Sequence, residues 1–183
     1  MNKLKKYLSI VLLTFSFLII FSVQKISAGT PTPHNGLFFS KTIPYYVQAS
    51  SNKYKNIWSD ALKGFDNNGA IKFKKSSRKN AYLLLSSRSF KAKSLKTPRS
   101  IYLNSRDISA SSIFLNRTNI NKYNYTHDEL VGIAMSGIAY GVGLDYNSNP
   151  NSILYNKQTN KLINTKLSDS DKEGLIKTYG SSN

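Results

Sequence analysis

Apolar residues along this chain change period several times, and each change marks an element. Ile43–Ala49 (IPYYVQA) is rich in aromatic and branched residues and predicts a strand, with Pro44 near its start, where a missing N–H is tolerated. Tyr54, Ile57, Trp58, Ala61, Leu62 and Phe65 then recur at intervals of three and four, which is one apolar face of a helix. Ser51 or Asn52 stands where a cap is needed, and the turn cluster Asp66-Asn67-Asn68-Gly69 ends the helix. Ala70–Lys75 alternates Ile71 and Phe73 with lysines, the period of a half-buried strand with a wet lysine face. Ala81–Ser86 (AYLLLS) is a continuous apolar run of strand length, expected to be covered on both faces. Ser87–Pro98 is basic and serine-rich and reads as a surface loop, and Ser100–Asn104 and Ser112–Asn116 are two more short strand candidates.

Helical signals dominate the rest. Thr126 and Glu129 have capping-box spacing, and Asp128 adds negative charge to the same first turn. Leu130, Ile133, Ala134, Ile138 and Ala139 supply an apolar face interrupted by Gly132, Gly137 and Gly141, each costing about 1 kcal/mol relative to alanine. Packing must therefore hold this helix, its smooth side implies close approach by another backbone, and Gly143 is a left-handed stop. Ser168 and Asp171 open a last helix that runs through Leu175, Ile176 and Tyr179 to Gly180. Strand, helix, strand, strand followed by helices implies α+β architecture, a helix packed on a mixed sheet.

The N-terminus adds a second kind of information. MNKLKK precedes an apolar stretch from Leu8 to Val23 and a close in small residues at Ser27, Ala28 and Gly29, the layout of a secretory signal peptide over residues 1–28. An uncleaved anchor is the alternative. Residues 29–36, with TPTPHN at Thr30–Asn35, read as an extended leader, and 37–183 as one domain. The chain holds 26 Lys+Arg against 9 Asp+Glu. Its first 28 residues carry Lys3, Lys5, Lys6 and Lys25 and no acid, so the remainder keeps a charge of +13. Outside a cell that charge suits an anionic cell-surface polymer. The basic residues are scattered without a recognition motif, so nucleic acid is not expected as a partner. With no cysteine and only His34 and His127, a disulfide framework, a cysteine nucleophile and a tris-histidine metal centre are all excluded.

Ser136–Tyr155 reads SGIAYGVGLDYNSNPNSILY, and its rhythm resembles the active-site segment of matrixins, a branch of the metzincin zinc endopeptidases. That family's pattern is H-E-x-x-H-x-x-G-x-x-H followed by a methionine turn. Gly143 falls on the pattern's glycine, and Leu144-Asp145 on the usual pair before the third ligand. Ser136 stands at the first histidine, Gly137 at the catalytic glutamate, Tyr140 and Tyr146 at the second and third histidines, and Leu154 at the turn methionine. IPYYVQA, the Trp58 helix, AYLLLSS and LSDSDKEGLIKTYG extend the resemblance over about Leu37 to Gly180. It implies a metzincin-like twisted mixed β-sheet with a packed helix, a motif helix below a cleft and a C-terminal helix closing the lower part.

Zinc is the cofactor that the family implies, but its ligands are absent here. A serine hydroxyl and two phenols of pKa near 10 replace neutral imidazoles, and glycine offers no base. Tyr140 and Tyr146 read as fillers of the vacated volume. His127 is a solvent-facing first-turn residue, and His34 could reach the cleft only if the leader folds back. Asp128 and Glu129 are explained by capping, and Asp145 fixes the turn after Gly143. Ser136 as a nucleophile lacks an identifiable base. The resulting expectation is a secreted, matrixin-like pseudoprotease that binds an extended peptide as an added strand. The alternatives are an extracellular peptidase or hydrolase with a non-standard site and, last, a cationic membrane-active protein.

Overall fold

The computed structural model describes residues 30–49, 51–91, 93–157 and 163–180; the expected signal segment, residues 1–28, lies outside them. Strands β1 (Thr42–Gln48), β2 (Lys72–Lys75), β3 (Leu83–Arg88), β4 (Lys96–Tyr102) and β5 (Ile108–Asn116) form one sheet in the order β2-β1-β3-β5-β4. Neighbouring strands run parallel except β4, which pairs antiparallel with β5 at the sheet edge. Helices α1 (Asn52–Lys63), α2 (Arg117–Ile120), α3 (His127–Gly141) and α4 (Asp169–Tyr179), with a single 3-10 turn at Arg78–Asn80, complete the described elements. The fold is mixed α/β, with a five-stranded, mostly parallel sheet. No helix among the described residues is long and apolar enough to cross a membrane.

Pleating divides the sheet into two unlike faces. Ile43, Leu83, Leu85, Ile113 and Leu115 point to one side and are fully buried. The helical face of α1, with Ile57, Trp58, Ala61 and Leu62, is buried in the same core as Ile133, Ala134, Ile138 and Ala139 of α3. Each large side chain so buried stabilises the fold by roughly 1.5–3 kcal/mol relative to exposure. The other face is only partly covered: β3 alternates buried and half-buried residues, and Tyr82 just before it is 45% exposed. The run Ala81–Ser86 is therefore not a strand sealed on both sides. Its continuous hydrophobicity conceals a period of two.

Other boundaries also move. Strand β4 begins at Lys96, inside the stretch read as a surface loop, and β5 is nine residues long. An edge strand tolerates the Pro98 and the charges that argued against it. Ser51 occupies the N-cap of α1 without a side-chain hydrogen bond. The turn after α1 is held by Asn68, whose Oδ1 accepts from the Ala70 and Ile71 amides. Both expected capping boxes form, Thr126 with Glu129 and Ser168 with Asp171.

The extended segment after residue 29 is extended as expected, but it is docked. Thr32 is buried, its amide donates to the Ser170 carbonyl, and its hydroxyl donates to Asp171 Oδ1 at 2.7 Å. Asn35 N–H donates to Gly143 O and Asp145 N–H to Pro33 O, so the segment lies against the turn that follows α3. Its backbone supplies partners to that turn, an interaction that leaves no trace in hydrophobic periodicity.

Candidate functional site

Helix α3 carries Ser136, Gly137 and Tyr140, and Ser136 and Tyr140 share a face because they are four residues apart. Val142 caps the helix and Gly143 follows with φ +100°. Gly143 N–H donates to Tyr140 O and Leu144 N–H to Ala139 O, the paired bonds of a Schellman turn. A Cβ on Gly143 would overlap the Gly36 carbonyl oxygen, so both the backbone angle and the docked N-terminal segment require glycine here. The turn swings Tyr146 back towards Tyr140, and Asp145 Oδ1 accepts from the Tyr146 amide at 2.8 Å.

The two phenol rings meet with centroids 5.4 Å apart and planes tilted by 39°. Tyr140 is half-buried and Tyr146 is 44% exposed, so the pair is open to solvent on one side and not sealed in the core. Lys96 of β4 completes the cluster. Its stem lies beside Gly137, with Cδ 3.4 Å from the place a Gly137 Cβ would occupy, and its Nζ is 6.0 Å from the Tyr146 ring centroid. No acid pairs with this ammonium among the described residues. Burial pulls its pKa from 10.5 down to about 8. Tyr102, at the far end of β4, belongs to the same neighbourhood. Burial raises its phenol above the usual value, and Tyr140 and Asp145 push the same way against a hydrogen bond with Ser100.

Ser136 is 1% exposed, and its hydroxyl has no hydrogen-bond partner among the described residues. Gly137 is closed off by Ile113: a Cβ there would approach Ile113 Cγ2 to 2.7 Å. Gly141 meets Ile113 and Ser111 side chains in the same way, while Gly132 is pressed against the Asn164 backbone. The expected approach of another backbone thus holds at Gly132. At Gly137 and Gly141 it is β5 side chains that fill the space. Leu154 is fully buried, and its carbonyl accepts from Asn147 N–H.

The two histidines lie on different elements, one at the start of α3 and the other on the docked N-terminal segment. His127 is exposed in the first turn of α3, with Nε2 3.0 Å from Asp60 Oδ2 on α1. His34 is exposed and pairs through its backbone with Leu144. Asp128 and Glu129 stay in the first turn, where the Glu129 carboxylate accepts from Thr126 N–H at 2.7 Å. No group of three or more His, Cys, Asp or Glu residues among the described ones is arranged to hold a metal ion.

The donor set at positions 136, 140 and 146 does not fit zinc. Ligation by phenols requires their ionisation, yet burial raises the Tyr146 phenol pKa, and Tyr140 and Asp145 push it further up. A lysine ammonium already stands against the same ring. Lys96 and Tyr102 were not legible as site residues. The available signal was the even spacing of Lys96, Ser100 and Tyr102 on one strand, masked by the intervening proline and arginine.

The buried Asp171 is a further unforeseen centre. Beyond its capping role it accepts from the Thr32 and Ser152 hydroxyls and from the Ile153 amide at 2.9 Å. It thereby ties the N-terminal segment, the loop containing Leu154 and α4 to one carboxylate. Comparison of the sequence with known protein families and with curated proteins finds no match in either.

Proposed function

We propose that this protein is a secreted, matrixin-like binding protein without peptidase activity, and that its ligand is an extended peptide. The observation that carries the reading is the combination at the cleft. The positions resembling the zinc ligands and catalytic base hold a closed-off serine, a glycine pressed on Ile113 and a tyrosine pair faced by Lys96, while the adjoining edge strand β4 has no second strand partner among the described residues. Ile101, on the other face of β4 from Lys96, and Leu103, just beyond the strand, are each 65% exposed along that edge. An extended peptide could pair with the β4 backbone and lay apolar side chains there.

The metzincin-like assignment is part of the same proposal. It is supported by the mixed sheet, the packed α1, the motif helix α3 turning at Gly143, and the C-terminal α4. Secretion is supported by the basic, apolar and small-residue succession over residues 1–28. An extracellular hydrolase built on Ser136 draws no support from the site, because the Ser136 hydroxyl is buried and has no hydrogen-bond partner, and so no base, among the described residues.

The test pairs binding with turnover. A library of fluorescent extended peptides is titrated against the protein secreted by the producing cell, and a quenched peptide library is incubated with it in added zinc. Expected are saturable binding, weakened by a charge or proline placed along β4, and no cleavage. Zinc-dependent cleavage at a rate proportional to protein, abolished by Tyr146→Phe, would overturn the proposal.

A further inference from the structure

The carboxyl ends of the three parallel strands β1, β3 and β5 enclose a cavity of about 760 Å³, reached from the sheet face away from α1 and α3. The strand register explains how it forms. Gln48, Ser86 and Phe114 lie side by side across the three strands, with Leu84 beside Ser112 in the adjacent row. None of these residues belongs to the buried set, and small polar side chains, Leu84 and one aromatic ring make the floor.

Three arginines line this cavity: Arg78 from the turn before β3, Arg88 from the end of β3 and Arg117 from the start of α2. No acidic residue is among its described lining. The Arg88 guanidinium carbon sits 3.9 Å from the Phe114 ring centroid and 5.5 Å from that of Phe90. Stacking on one ring with a second nearby restrains the side chain and leaves its N–H edge to bond a ligand. Ser86 and Ser112, half-buried in the lining, point to the same sheet face as Phe114 and add hydroxyl donors beside the guanidinium groups.

We propose that this cavity binds a phosphate- or sulfate-type oxyanion carried by a larger anionic ligand. Planar guanidinium groups bond such oxyanions in pairs of parallel N–H···O contacts, and serine hydroxyls and Gln48 supply neutral donors around them. Open α/β sheets bind ligands beyond the carboxyl ends of their parallel strands, and this cavity lies there. It is on the opposite side of the sheet from Gly137 and the tyrosine pair, so the inference is independent of peptide binding at β4. The surplus of 26 basic over 9 acidic residues attracts polyanions everywhere on the surface; the arginine cavity would confer a defined site and stoichiometry.

Calorimetric titration of the purified chain at about 0.15 M salt, where bare surface attraction is screened beyond roughly 8 Å, tests this. The two probes are inorganic tripolyphosphate and a sulfated polysaccharide. The variants are Arg88→Gln with Arg78→Gln, and, as a charge-matched control, Lys72→Gln with Lys74→Gln on β2, whose lysines are exposed. Arg78 and Arg88 are also exposed, so their replacement leaves the core intact, which a melting curve verifies. Expected are one site per chain, a loss of about tenfold or more in the arginine variant, and less than about twofold in the control. Whichever probe binds in that pattern identifies the source of the oxyanion. Equal losses in both variants, or no binding of either probe, would overturn the proposal.

Discussion

Replacing Lys96 by methionine should stabilise the protein, by an amount that depends on pH. The stem of Lys96 packs beside Gly137, and methionine preserves that apolar volume. What it removes is an ammonium with no acidic partner, whose pKa falls from 10.5 to about 8 on folding through burial. At about 1.4 kcal/mol per pH unit, holding the charged form in the fold costs about 3 kcal/mol at any pH below 8. The lysine is protonated in both states there, so the cost is constant. Between pH 8 and 10.5 the folded form has lost its proton while the unfolded chain keeps it, and the wild type gains stability as pH rises. Urea unfolding at pH 6, 7, 8 and 9 of wild type and Lys96→Met should therefore show the variant ahead by about 2–3 kcal/mol at pH 6 and 7, with the gap narrowing at pH 9. Taking the difference cancels other titrations common to both chains. A gap that does not change with pH, or a destabilised variant, would refute the claim that the Lys96 ammonium is held at a desolvation cost.

Two further substitutions test the ties around the cleft. Tyr179 Oη donates to Val142 O at 2.7 Å and accepts from Phe38 N–H at 3.0 Å, so Tyr179→Phe strands two buried backbone groups; thermal or urea unfolding should show a loss of about 1–3 kcal/mol. Burial places the Tyr179 phenol pKa far above the usual value, so this loss should be the same at pH 6 and pH 9. Asp171→Ala removes the acceptor shared by Thr32, Ser152, Ile153 and Ser168, and should cost about 3 kcal/mol or more. Hydrogen exchange in that variant should rise at the amides of Thr32 and Ile153, and unchanged protection there would contradict the assigned role.

What the sequence disclosed and what it withheld divide along physical lines. Strand β1, helix α1 and the start of α3 were legible because periodic burial and capping are local: Trp58 and its neighbours all face the core, and Thr126 finds Glu129 three residues away. Strand β4 was half hidden, because an edge strand is under little pressure to be apolar and its Lys96–Pro98 portion resembles a loop. The docking of the N-terminal segment was invisible, since it depends on backbone groups such as Asn35 N–H and Gly143 O that every sequence possesses. Asp171 could be read as a cap residue but not as a junction, because its other donors come from residues 139 and 19 positions away. Lys96 enters the cleft from a strand whose existence was only partly foreseen.

The arrangement around Gly137 constrains how the cleft could have come to its present form and how it could be changed. A side chain at position 137 would collide with Ile113 Cγ2, an atom fixed near the backbone of a central strand rather than the tip of a flexible chain. The same Ile113 fills the space beside Gly141. Glycine at 137 is thus part of the packing between α3 and β5, and the Lys96 stem covers what Ile113 leaves open. Introducing a carboxylate at 137 alone would strain that contact and also place it next to the Lys96 stem, without supplying any imidazole at 136, 140 or 146. Core shape and cleft chemistry are therefore coupled through one isoleucine, so a change of chemistry at the cleft requires Ile113, Gly137 and Lys96 to change together.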